Sequence, residues 1–263
     1  MSTITNRFAA LLVIPTFLTG AALAQDAQPD SQSGGGERLA QERFQPRFPS
    51  EDRNRNRFQD RSQDSRNAPG QFDFYVLALS WSPSFCESSR ERNGGRSRLQ
   101  QCTGERPYSF VVHGLWPQHE RGFPRDCQIP APRLPRSIVN TMLDIMPSPR
   151  LVFNQWDRHG TCTGLNGQQY FDIVRKARET VRIPAQYQDI SAYLAVTPGE
   201  VEKAFVEANP GLSPDAIAVT CDHRRLSEVR ICMSKDLQFR DCAEVDRRSC
   251  RSEKVMMPPV RGG

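Results

Sequence analysis

The sequence predicts an α+β fold: a single domain with a central, mainly antiparallel sheet, flanked by helices and stabilised by disulfides. Three observations point there. Strand-like apolar runs come first, helical periodicity fills the middle, and strand-like runs return near the end, an order that suits α+β better than an alternating parallel sheet. The patterned stretch covers residues 71–263, long enough for one real core. All eight cysteines fall inside it (Cys86, Cys102, Cys127, Cys162, Cys221, Cys232, Cys242 and Cys250), an even number that suggests disulfides.

The chain before residue 71 explains why only 37% of the sequence is hydrophobic, below the roughly 45–50% of a packed domain. Arg7, the apolar run Phe8–Leu18 and the small residues ending Ala22-Leu23-Ala24 have the grammar of a secretory signal peptide, with cleavage expected after Ala24. The run is short for a bilayer, and no other window is long and apolar enough, so no membrane span is expected in the mature protein. Residues 25–70 hold eight Arg against eight Asp plus Glu and no aliphatic periodicity. Such a segment buries too little apolar surface to offset chain entropy and reads as a disordered polar linker. The composition excludes a polytopic membrane protein and a collagen-like or heptad fibre.

From residue 71 on, the elements follow in order. Phe72–Trp81 reads as a strand stopped by Ser82-Pro83, and Tyr108–His113 as a second strand stopped by Gly114. Residues 135–146 carry helical spacing at Ile138, Met142 and Ile145, and 150–161 and 167–180 also read as helices. Thr197-Pro198-Gly199-Glu200 is a helix start, with Thr as cap, Pro first and Glu three residues on, for a helix running to about Asn209. Strands return at 215–221, 227–233 and 237–242.

Histidine is scarce, so the context of each is informative. His113 stands in Phe110-Val111-Val112-His113-Gly114-Leu115-Trp116-Pro117, where Gly114 permits close backbone approach or a positive φ. His159 stands in Phe153-Asn154-Gln155-Trp156-Asp157-Arg158-His159-Gly160-Thr161-Cys162. On a helix, Gln155 and His159 share a face, and Arg158 can reach the same anion. Two imidazoles suit paired general base and acid. A guanidinium holds a phosphate, and a tryptophan stacks on a base for about 1–3 kcal/mol. The matching target is a phosphodiester with an internal nucleophile: RNA, cleaved to a 2′,3′-cyclic phosphate, with DNA left uncut.

These two segments resemble the signatures of the T-two ribonuclease family, the secreted acid ribonucleases that include the plant S-ribonucleases. The likeness is centred on His113-Gly114-Leu115-Trp116-Pro117 and on Trp156, His159, Gly160, Thr161 and Cys162. Weaker likeness covers most of 71–250, including Trp81-Ser82-Pro83-Ser84-Phe85-Cys86. The resemblance implies metal-independent cleavage of single-stranded RNA, with His159 as general base and His113 as general acid. Gln155 stands where the family usually has Glu, Arg158 where it has Lys, and Asn154 where many members have a phosphate-contacting His. The resemblance also implies the pairs Cys86–Cys102, Cys127–Cys162, Cys221–Cys250 and Cys232–Cys242.

The candidate catalytic set is therefore His113, His159, Gln155 and Arg158. Trp116, Asn154, Trp81 and His119 are the candidate substrate contacts, and His223 reads as solvated. No metal or other cofactor is expected, because no H-E-x-x-H, C-x-x-C or carboxylate cluster accompanies the histidines. A monomer in the periplasm or secreted outside the cell is expected. The net charge of +5 is compatible with an anionic partner. Gln155 leaves a second reading open, a weakened family member that binds RNA or protein.

Overall fold

The computed structural model describes residues 67–261, with Arg98, Glu105 and His223 excepted. The signal peptide, the linker up to residue 66 and the reading of His223 lie outside the described residues. Residues 67–70, expected as the end of the linker, contact the domain: the Gly70 amide donates to the Cys162 carbonyl at 2.9 Å.

The chain runs β1 (Phe74–Trp81), α1 (Ser82–Arg92), α2 (Gln100–Thr103), β2 (Phe110–Gln118), α3 (Arg136–Met142), α4 (Pro149–Arg158), a 3-10 turn (Gly160–Thr163), α5 (Gly167–Thr180), β3 (Leu194–Val196), α6 (Pro198–Ala208), β4 (Ile217–Cys221), β5 (Leu226–Met233), α7 (Ala243–Asp246) and β6 (Val255–Met257). One four-stranded sheet has the order β2-β1-β5-β4, antiparallel throughout, and β3 pairs with β6 in a small antiparallel ribbon. This is the α+β architecture expected.

Side chains alternate across a strand, and here the alternation separates stability from chemistry. Tyr75, Leu77, Leu79 and Trp81 of β1 enter the main core with Val219, Val229 and Ile231, beneath residues of α4, α5 and α6. Each such large side chain contributes about 1.5–3 kcal/mol on burial. On the opposite face Phe74 and Val76 meet Ala218, Cys232, Cys242 and Val245 in a smaller cluster. Farther along that second face the alternation places Ser80, Glu228 and Arg230, polar residues with no part in either cluster.

Helix starts follow local rules. Ser148 caps α4 by accepting from the Leu151 amide, with Pro149 in the first turn. Asn166 with Gln169, and Thr197 with Glu200, form reciprocal capping boxes at α5 and α6. Three expectations change. Strand β2 does not stop at Gly114 but continues to Gln118. Residues 237–242 form no strand beyond a single bridge from Phe239 to Met233, because Leu237 turns the chain with φ of 61°. Ser82-Pro83 ends β1 and at once begins α1, a helix not foreseen because it has little apolar periodicity.

Tertiary bonds hold α1. The described residues form four disulfides, Cys86–Cys102, Cys127–Cys162, Cys221–Cys250 and Cys232–Cys242, the pairs the resemblance implies. The first ties α1 to α2. Arg225, buried just before β5, bonds Glu91 at 2.6 Å, Glu87 at 3.1 Å and Asp222 at 3.4 Å, fastening α1 to the β4–β5 turn. Truncating a buried guanidinium leaves these carboxylates without their shared partner. Arg225→Ala should cost about 2 kcal/mol, read as a lowered urea midpoint at pH 7. Since protonated carboxylates no longer need the cation, the loss should shrink below about pH 4.

Candidate active site

Strand β2 carries one residue more than β1 opposite it. Ala78 pairs with Gly114 and Leu79 with Val112, so His113 is the extra residue of a β-bulge. The bulge reverses the alternation: Phe110 and Val112 face the core before it, Leu115 after it. His113 and Trp116, three residues apart, thereby come to one face, where a regular strand would part them.

The end of α4 supplies the second histidine. His159 is the residue after the last helical turn, and its amide still donates to the Gln155 carbonyl at 3.0 Å. The disulfide Cys127–Cys162 and a bond from the Asp126 amide to the Arg158 carbonyl at 2.9 Å pin the loop after β2 to this helix end. Trp116 packs against both imidazoles. Its ring centroid is 5.3 Å from that of His113, edge-on, and 5.5 Å from that of His159.

Gln155 is buried, and its Oε1 accepts the Trp116 indole N–H at 2.8 Å. A Cβ on Gly114 would lie 2.0 Å from that oxygen and 2.4 Å from the indole nitrogen, so close approach, not an unusual φ, requires glycine there. Arg230 covers part of Trp116, its guanidinium carbon 5.2 Å from the ring centroid.

The two imidazoles have opposite surroundings. His159 Nδ1 is buried with no hydrogen-bond partner. Burial first, then the charges of His113, Arg158 and Arg125, pushes His159 down to about 4. His113 instead bonds through Nδ1 to the buried carboxylate of Glu228. Burial alone would raise the Glu228 carboxyl, but the bonds and charges of His113 and Arg230 outweigh it and hold the group at about 2. Arg230 grips Oε2 of Glu228 at 2.9 and 3.0 Å, and Ser80 reaches Oε1 at 3.3 Å.

Two cavities open beside the pair. One, of about 360 Å³, is walled by His159, Trp116, Phe123, Arg125, Arg158, Arg230 and Arg248. The other, of about 490 Å³, is lined by His113, Phe85, Leu99, Leu151 and Glu228 among others. The structure thus brings together His113, His159, Gln155, Arg158 and Trp116. Trp81 corrects the expectation: it is fully buried, its N–H donates to the Pro258 carbonyl at 3.1 Å, and it offers no face to a ligand. Asn154, exposed on α4, and His119, whose Nδ1 is 3.8 Å from Asp73, line neither cavity. Glu228, Arg230, Arg125 and Arg248 were not anticipated. The signal for the first two was their alternation with Val229 and Ile231, which puts two charges on one face of a strand.

Fold and site together define an α+β protein with two histidines against one tryptophan, beside a cavity lined by four arginines and Glu244. The sequence pattern of the Ribonuclease T2 family matches residues 72–242, and the chain belongs to that family. It is 37% identical over 129 residues to a "Probable ribonuclease" of Haemophilus influenzae, covering 46% of this chain and 47% of that protein, about half of the relative's length. It is 30% identical over 179 residues to a "Ribonuclease" of Aeromonas hydrophila, covering 65% of this chain and 76% of that one. The solved structure of RNase NT in complex with 5′-AMP superposes with a TM-score of 0.55 over 72% of this chain and 98% of that one, at 24% identity, a likeness of fold.

Gly114 tests the packing directly. Gly114→Ala must displace Gln155 or Trp116, and overpacking of this kind costs about 1–3 kcal/mol. The expected result is a lower urea midpoint together with altered tryptophan fluorescence of the folded state, whereas a wild-type spectrum and midpoint would contradict the close contact.

Proposed function

We propose that the folded domain is a metal-independent endoribonuclease that cleaves single-stranded RNA by transphosphorylation. One observation carries the reading: two imidazoles against the same tryptophan, Trp116, one held neutral by burial and neighbouring cations, the other bonded through Nδ1 to a buried carboxylate. Pairs of titratable groups in opposed environments are how a site divides acid and base work.

His159 takes the 2′-OH proton, the 2′-oxygen attacks phosphorus, and the 5′-oxygen leaves with a proton from His113. The products are a 2′,3′-cyclic phosphate and a 5′-OH end. Arg158, on the wall of the His159 cavity, is placed to hold the phosphate and to offset charge that builds on its oxygens. Gln155 fixes Trp116 through its amide oxygen. The free part of the Trp116 ring and the apolar lining of the His113 cavity are suited to nucleobases on either side of the scissile phosphate. The names of the relatives, ribonucleases both, support the same reading. Four disulfides and the signal-like first 24 residues support a periplasmic or secreted enzyme.

The test is cleavage of single-stranded RNA by the full chain in excess EDTA across pH 4–8, with end-group analysis for the cyclic phosphate. His113→Ala and His159→Ala should each lose about 10²–10⁴-fold, and a 2′-deoxy substrate should remain intact. The base works only when neutral, so kcat/KM should climb with pH through about 4, where His159 loses its proton. A wild type inert at every pH but retaining RNA binding would instead establish the binding-module reading.

A further inference from the structure

We propose that Glu228 is the positioning residue of His113: from strand β5, across β1, it fixes the ring's orientation and tautomer so that Nε2 is presented to the leaving 5′-oxygen. This rests on the ribonuclease reading and deepens it.

The sheet order explains how the pair meets. β1 lies between β2 and β5, and Ser80 is paired in register with Glu228. Only the small Ser80 side chain stands between the bulged His113 and Glu228, so both long side chains close over it. The carboxylate is fully engaged there: Oε1 takes His113 Nδ1 and the Ser80 hydroxyl, and Oε2 takes two nitrogens of Arg230. A buried carboxylate bonded on both oxygens cannot swing away, and it cannot give up its charge cheaply.

The consequence for His113 follows from its two nitrogens. With Nδ1–H committed to Glu228, Nε2 is the nitrogen that faces the leaving group. The proton leaves Nε2 for the 5′-oxygen; Nδ1 keeps its own, and Glu228 stays ionised throughout. Arg92 and Asp222 line the same cavity as the ring, and Glu228 makes the direct bond to it. The neutral Gln155, turned to Trp116, supplies no charge to the site. The carboxylate bonded to His113 therefore comes from the sheet and not from α4.

The experiment compares the full-length wild type, Glu228→Gln and Glu228→Asp on two substrates: a short single-stranded oligoribonucleotide, and a nucleoside 3′-aryl phosphodiester whose phenolate leaves without an acid. For Glu228→Gln, kcat/KM on RNA should fall about 10–100-fold, while the aryl ester should lose less than about threefold. Glu228→Asp should recover part of the rate on RNA. Equal losses on both substrates would reduce Glu228 to a structural residue and overturn the proposal. If Glu228→Gln fails to fold, Glu228→Asp carries the same comparison, a loss confined to RNA supporting the role and an equal loss refuting it. A wild type that cleaves neither substrate would sink the ribonuclease reading itself, a distinguishable outcome.

Discussion

The single extra residue in β2 is the constraint on which the site depends. A regular antiparallel pair would send His113 and Trp116 to opposite sides of the sheet. With the bulge at His113, the core sequence Phe110, Val112, Leu115 is still satisfied while both rings emerge on the polar face. The rest follows from that placement. Trp116 can then donate its indole N–H to Gln155 of α4, which is possible only because Gly114 has no side chain. His113 can then reach over Ser80 to Glu228. Helix, sheet and bulge each contribute one partner, so no element carries the chemistry alone.

The same face also shows how the fold affords buried charge. Glu228 and Arg230 are two residues apart on β5, in a strand whose alternate residues are fully in the core. Arg225 performs a comparable service just before the strand begins, gathering Glu87, Glu91 and Asp222. In both places a cation and carboxylates satisfy one another, which is what makes polar groups tolerable beside a closely packed sheet. The difference is exposure to a cavity: Glu228 holds a histidine that faces one, whereas Arg225 fastens α1.

Much of this was legible in the sequence because it rests on local rules. The capping residues Thr197 and Glu200 marked the start of α6, and the mixed order of runs pointed to the fold class. The two histidine motifs named the principal side chains. What stayed hidden depends on pairing across strands. Gly114 looked like a strand terminator, since a glycine demanded by close approach is indistinguishable from one demanded by a turn. Trp81 looked like a possible base platform because alternation alone does not say which face of β1 is covered; here it is the core face. Glu228 lies 115 residues from His113, and nothing short of the β2-β1-β5 order joins them. Helix α1 is held by a disulfide and by Arg225, neither of which leaves a periodic trace.

The arginines around His159 serve two ends that pull against each other. In the proposed reaction Arg125 and Arg158 draw a phosphate into the cavity, yet with burial and His113 they push the neighbouring imidazole down to about 4. A base that weak is reliably neutral at neutral pH but has little driving force to take a proton. On the proposed reading the substrate resolves the conflict. A bound phosphodiester would bring one negative charge into the field that suppresses the imidazolium, and charge added to the phosphoryl oxygens as the 2′-oxygen attacks would deepen the effect. His159 would then become a stronger base as the proposed step proceeds, while Glu228 holds the His113 ring through Nδ1.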